Sequence, residues 1–264
     1  MAADKAQSLK KPPKIVPLLP PRGPTRLSGK VAVITGASRG IGYAVARALA
    51  NEGADVVITG REPANLTKAA AQLRKDVSNH AKIVAVPCDV RNPQHVAALF
   101  AIVQRRFRKL DILINNAGIS QSPTPIEQTT LDMWRDMLDT NLTGMFLCAR
   151  AALPLMQRGA TIINNLSAAA KQVFPKFAAY TAAKTGAYGF TLALREELVP
   201  RGIRVTALMP GATSTDIWQV VMPNADHDLM VNVEQVAQAV VYAVLLPPEA
   251  NLSELLLTPT VGAL

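Results

Sequence analysis

The stretch VAVITGASRGIG, residues 31–42, joins a short apolar run to a glycine-rich turn that opens a helical pattern. A strand this short and this uniformly apolar is buried on both faces, as in a parallel sheet held between two helical layers. The turn after it carries three glycines at GxxxGxG spacing. Gly36 permits a tight turn, Gly40 lets the backbone approach a pyrophosphate, and Gly42 allows close packing of helix on strand. The helix N-terminus then offers unpaired N–H groups and the positive end of its dipole to phosphate charge. Three glycines alone are a weak signal, but their position between a buried strand and a helix supports a dinucleotide-binding turn.

Outward from this turn, six further strand patterns follow: DVVIT (55–59), KIVAVP (82–87), DILINN (111–116), TIINNL (161–166), RVTALM (204–209) and SELLLT (253–258). Helical patterns separate them at about 41–51, 64–79, 94–108, 131–157, 178–199 and 233–246, with Pro154 expected to bend or end the fourth. The order predicts a Rossmann-like, doubly wound α/β fold with a mainly parallel seven-stranded sheet and helices on both faces. Such sheets bind ligands outside the carboxyl ends of their strands.

With 264 residues, 49% hydrophobic and 18% charged, the chain has the composition of one α/β domain that needs no cross-links. Cys88 and Cys148 lie alone in apolar surroundings and read as reduced core thiols. His80, His95 and His227 share no metal-ligand spacing, so no metal is expected. No apolar run approaches the ~20 residues of a membrane span, and no signal-peptide core is evident, so the expected location is the cytoplasm. The net charge of +9 is concentrated in residues 1–28, where six cations face Asp4 alone and six prolines interrupt any helix. That segment reads as a basic, Pro-rich, flexible extension, and residues 29–264 as the catalytic domain. RRFRK (105–109) closes a predicted helix, where cations suit the dipole, and nucleic-acid binding is not expected.

From about Gly29 to the C-terminus the chain resembles the short-chain dehydrogenase/reductase family, in its common single-domain branch. TGASRGIG is followed, in the family's order, by CDV (88–90), NNAG (115–118), TNLTG (140–144), LS (166–167), YTAAK (180–184) and PG (210–211). The resemblance implies a nicotinamide-dependent oxidoreductase that moves a hydride between cofactor and a carbonyl or alcohol carbon. It also implies a homodimer or homotetramer, through the helices near 131–157 and 178–199.

Tyr180 and Lys184 stand four apart on a predicted helix, so both side chains can meet one ligand. A tyrosine's pKa of about 10 is too high for proton transfer at neutral pH, and a neighbouring ammonium favours phenolate. Ser167, at a strand end, can hydrogen-bond a substrate oxygen as charge develops on it. Asn141 resembles the family's fourth catalytic member, which steadies a water linking the lysine to solvent. Tyr188, with no lysine four residues on, reads as a packing residue.

For the cofactor, the resemblance adds Ser38 and Ile41 in the glycine turn, and Asp89 and Val90 beside the adenine. Asn116, Ala117 and Gly118 would line the adenine ribose and central crevice. Pro210, Gly211, Thr213 and Thr215 would receive the nicotinamide carboxamide, Thr213 standing where an aliphatic residue is usual. The ending SELLLTPTVGAL departs from the family's VDGG-containing tail. A carboxylate at the end of the second strand would select NAD, yet Gly60 stands there, followed by Arg61. Arg61 and Arg39 could converge on a 2′-phosphate, so NADP(H) is the expected cofactor. The variable segment 216–232 offers Trp218, Val220, Val221, Met222 and Leu229 as walls for a small to medium hydrophobic substrate. The alternative is a non-catalytic dinucleotide-binding module whose basic tail recruits an anionic partner.

Overall fold

The run Val31–Ile34 forms the first strand, β1, with all four side chains buried. The computed structural model describes residues 25–260. After β1 come α1 (Gly40–Asn51), β2 (Asp55–Gly60), α2 (Pro63–Asp76), β3 (Ile83–Pro87), α3 (Pro93–Phe107) and β4 (Leu110–Asn115). The second half runs α4 (Leu131–Leu138), α5 (Gly144–Ala152), β5 (Met156–Asn165), α6 (Ala178–Leu198), β6 (Arg204–Pro210), α7 (Trp218–Val221), α8 (Val233–Leu245) and β7 (Glu254–Leu257). The strands pair in the order β3-β2-β1-β4-β5-β6-β7, every pair parallel. This is the Rossmann-like doubly wound sheet expected from the sequence, and it is wholly parallel rather than mainly so. The chain winds outward in both directions from β1 and β4, which leaves a crevice beyond their carboxyl ends.

Alternation along each strand divides the core. Ala32, Ile34, Val56, Ile58, Ile114 and Ile163 face the layer of α1, α2 and α8. Val31, Val33, Val57, Leu113, Ile162 and Val205 face α3, α5 and α6. Both cysteines are buried in the second cluster, where burial pushes the Cys88 thiol up to about 11 and Cys148 higher still.

Local sequence sets the helix ends. Pro93 begins α3, and Asn92 caps it by accepting from the N–H groups of Gln94 (2.9 Å) and His95 (3.2 Å). Asn232 and Gln235 form a capping box on α8. The last turn of α8 is held by Arg204, whose guanidinium donates to the carbonyls of Leu246 (2.9 Å) and Val244 (3.0 Å) and to Thr161 Oγ1 (2.8 Å).

The single helix expected over 131–157 is a correction. It divides into α4, a π-helical turn at Asp139–Thr143, and α5, and a short 3-10 turn containing Pro154 follows. Met156 and Gln157 belong to β5, because Met156 pairs with Leu110 before a register shift brings Thr161 opposite Ile112. The packed chain also starts before the boundary expected at Gly29. Leu27 is 5% exposed in the first core cluster, and Arg26 pairs with Glu52. Residues 1–24, most of the expected extension, lie outside the described residues. Among the described residues no helix is long and apolar enough to cross a membrane.

Candidate active site

A cavity of about 620 Å³ opens beyond the carboxyl ends of the central strands. One end is built by the glycine turn. Gly36 has φ +64°, and a Cβ there would lie 2.8 Å from Ala117 Cα, so only glycine lets β1 and β4 close together. A Cβ on Gly42 would meet Asn116 Nδ2 at 2.4 Å and the Gly36 carbonyl at 2.6 Å, so α1 rests directly on the strand ends. Asn116 donates to the carbonyls of Thr35 (2.9 Å) and Gly36 (3.1 Å) and accepts from Asn165 Nδ2 (2.8 Å). The crevice floor is thereby locked across β1, β4 and β5. α1 follows Arg39 without the side-chain cap that α3 and α8 carry, and it has no acidic residue in its first turn. Its leading N–H groups are left for an external anion.

The floor of the other half comes from the π-helical turn and α6. Asn141, 1% exposed, donates to the carbonyls of Met137 (3.0 Å) and Ile119 (3.1 Å) and accepts from the Ile119 N–H (3.2 Å). Its amide therefore fixes the loop after β4. Lys184 Nζ donates to the Asn165 carbonyl (3.3 Å) and lies 5.6 Å from the Tyr180 ring centroid. A Cβ on Gly118 would touch both Asn141 Oδ1 (2.7 Å) and Lys184 Nζ (3.6 Å), so these groups converge around one glycine. Ser167 begins the turn after β5, its Oγ accepting from the Ala169 N–H at 3.1 Å. Asn141, Ser167, Tyr180 and Lys184 all line the cavity.

Burial drives the electrostatics. It lowers the Lys184 ammonium to about 8, because a charge in a nearly dry site loses its hydration. It also raises the Tyr180 phenol, with the Ser167 hydroxyl acting in the opposite direction. The phenolate expected beside Lys184 and a cationic nicotinamide concerns the loaded site; in the protein alone, desolvation sets the direction.

The remaining sequence candidates divide between sites. Gly36, Arg39, Gly40, Ile41, Gly42, Asn116 and Gly118 line the cavity, as do Pro210, Gly211, Thr213 and Thr215 at the end of β6. Ser38, Val90 and Ala117 do not line the cavity. Ser38 packs under Gly60, Val90 against Gly144, and Ala117 against Gly36. Arg61 and Asp89 line a second hollow at the ends of β2 and β3, where Arg91 holds the Asp89 carboxylate (2.7 Å) and keeps it below its ordinary range. Of the two arginines expected at a 2′-phosphate, Arg39 lines the main cavity, paired with Asp216 at 3.3 Å, and Arg61 lines the second hollow. Leu229 is absent from the cavity wall, since it sits on an exposed 3-10 turn.

Sequence reasoning missed the opposite wall, Ile119 and Pro123 after β4 and Phe174 and Phe177 after β5. Their position after strands that already supplied site residues was the available signal.

Fold and site together define a dinucleotide-binding α/β protein with a Ser, Tyr and Lys set at the crevice. The chain belongs to the short chain dehydrogenase family, whose model matches residues 30–226. It is 37% identical to an uncharacterized oxidoreductase of Staphylococcus aureus over 237 residues, 89% of this chain and 99% of that protein. It is 40% identical over 197 residues to a 3-oxoacyl-[acyl-carrier-protein] reductase of Synechocystis, covering 74% of this chain and 78% of that one. Among solved structures, a short chain dehydrogenase from Burkholderia cenocepacia in complex with NADP superposes with a TM-score of 0.80 at 31% identity, over 88% of this chain and 98% of that one.

Proposed function

We propose that this oxidoreductase transfers a hydride between NADP(H) and the carbonyl or alcohol carbon of a small to medium hydrophobic substrate. The observation that carries this reading is the convergence of Asn141, Ser167, Tyr180 and Lys184 on the cavity that the uncapped start of α1 also borders.

The residues present fit a dinucleotide. Gly40 has φ +56° and leaves the α1 N-terminus open, while the Asn165 side-chain oxygen is buried without a partner at the crevice. The turn of Gly36, Gly40, Ile41 and Gly42 would hold the pyrophosphate. Asn116 and Gly118 would border the ribose, and Pro210, Gly211, Thr213 and Thr215 the nicotinamide end. When bound, the reduced nicotinamide supplies hydride.

Every other step falls to the chain. Tyr180 Oη donates a proton to the carbonyl oxygen, and Ser167 Oγ hydrogen-bonds that oxygen as its negative charge grows. Lys184 holds ribose hydroxyls and stabilises the phenolate left on Tyr180. Asn141, both amide hydrogens already engaged, keeps the loop after β4 in place, and the family resemblance gives it the steadying of a water that links Lys184 to solvent.

NADP(H) over NAD(H) is supported by Gly60 in the carboxylate position and by Arg61, a permanently charged fork at the second hollow. Buried, reduced cysteines fit a cytoplasmic enzyme, and a homodimer or homotetramer is the assembly the family implies. The test is kcat/KM with each cofactor. We expect a clear NADPH preference that weakens with salt and turns toward NADH in the Gly60→Asp, Arg61→Ala double variant. A Cβ on Gly60 meets nothing closer than Ser38 Oγ at 3.5 Å, so the substitution fits. Equal efficiency, or an NADH preference in the unmodified protein, would reject the assignment.

A further inference from the structure

The chain contains only six Phe, four Tyr and two Trp. Yet Phe174, Phe177, Tyr180 and Trp218 all line the same cavity. In so aromatic-poor a sequence, this clustering calls for a reason beyond apolar filling, which the abundant Val, Leu and Ala would meet at lower cost.

Two of these rings are held in orientation. Trp218 donates its indole N–H to the Thr213 carbonyl (2.8 Å), which anchors α7 to the end of β6. Phe177 stands edge-on to Tyr180, with ring centroids 6.4 Å apart and planes at 71°. A further tie closes the same end: Ser122 Oγ donates to the Val220 carbonyl (3.1 Å), joining α7 to the loop after β4. Val221 and Met222 extend the apolar surface beside Trp218.

The charges on this wall are as informative. Arg39, Lys184 and Asp216 are the charged residues lining the cavity among the described residues. Arg39 and Asp216 pair with each other, and Lys184 donates to a main-chain carbonyl beneath Tyr180. Arg39 is thus already paired, and Lys184 lies at the Tyr180 end, so an anion held among Phe174, Phe177 and Trp218 would lose hydration without a dedicated partner.

Building on the oxidoreductase reading, we propose that the preferred substrate is a neutral ketone or secondary alcohol whose reacting carbon is attached to a planar aromatic ring or lies in a ring fused to one, seated among Phe174, Phe177 and Trp218 with its oxygen toward Tyr180. Aromatic pairs in offset or edge-to-face geometry contribute beyond the area they bury. A saturated ring of the same size forgoes that gain.

The experiment compares 2-tetralone with 2-decalone, a carboxylated tetralone and an acetoacetyl thioester, each with NADPH. In parallel, 2-tetralone is titrated against tryptophan fluorescence in Trp134→Phe, which leaves Trp218 as the reporter. The expected result is a higher kcat/KM for 2-tetralone than for the other three. Trp218→Leu and Phe174→Leu should each lower its advantage over 2-decalone by about fivefold, and 2-tetralone should quench Trp218 whether or not NADPH is added. Using two variants separates loss of the ring contact from disturbance of α7. Equal efficiency on tetralone and decalone, equal losses on both in the variants, or a preference for the carboxylate or thioester would overturn the inference. Quenching without NADPH consumption by any carbonyl would uphold the aromatic site and overturn the oxidoreductase reading instead.

Discussion

Replacing Lys184 by methionine should make the nucleotide-free protein more stable while removing its activity. Lys184 is 5% exposed, and burial brings its ammonium from 10.5 to about 8. That difference corresponds to a destabilisation of about 3 kcal/mol. Methionine keeps most of the side-chain volume but gives up the bond to the Asn165 carbonyl (3.3 Å), a loss of about 1 kcal/mol. The net gain is about 2 kcal/mol, or roughly 4–8 °C in Tm for a chain of this length.

The sign has a pH signature. Below about pH 8 the lysine is charged in both folded and unfolded chains, and the full destabilisation is present. Between about 8 and 10.5 the unfolded chain binds more protons than the folded one, so wild-type stability rises with pH. The advantage of Lys184→Met should shrink across that window. Thermal melts of both proteins from pH 6.5 to 10, stripped of nucleotide, read the effect directly. A lower Tm for the methionine variant at pH 7, or a gap that does not change with pH, would refute the reasoning.

Other substitutions test separate parts of the structure. Gly42→Ala places a methyl 2.4 Å from Asn116 Nδ2 and should cost about 1–3 kcal/mol in urea unfolding, with weaker NADPH binding by titration. Arg204→Met leaves the carbonyls at the end of α8 without their donor, and the same unfolding assay should show a loss of about 3 kcal/mol. Asp216→Asn releases Arg39 from an exposed pair. Its Tm should stay within about 4 °C, since such pairs contribute ~0–1 kcal/mol, while the KM for NADPH falls.

What could be read from the sequence followed from periodicity. Seven strands and the residues just after them were legible because short, nearly continuous apolar runs and a glycine turn signal themselves locally, although β7 is only partly buried. Tyr180 and Lys184 were legible because YTAAK resembles the family's motif and a four-residue step on a helix fixes a shared face. The division of 131–157 was not, since the apolar pattern runs on through the π-helical turn and only pairing with Leu110 draws Met156 into β5. The Arg39–Asp216 pair spans 177 positions, and nothing local announces it. The Phe174 and Phe177 wall lies in a segment without periodicity. The direction of the Tyr180 shift depends on burial, a property of the assembled site.

The central claim is that Tyr180 transfers the proton in an NADPH-dependent carbonyl reduction. Single-turnover reduction of 2-tetralone by wild type and Tyr180→Phe, with NADPH binding measured on both, tests it most directly. The account predicts a rate lowered by at least about a hundredfold, the lower end for general acid catalysis, with NADPH affinity nearly unchanged because only the hydroxyl is lost. A Tyr180→Phe enzyme that retains most of its rate, or that fails only because NADPH no longer binds, would contradict it.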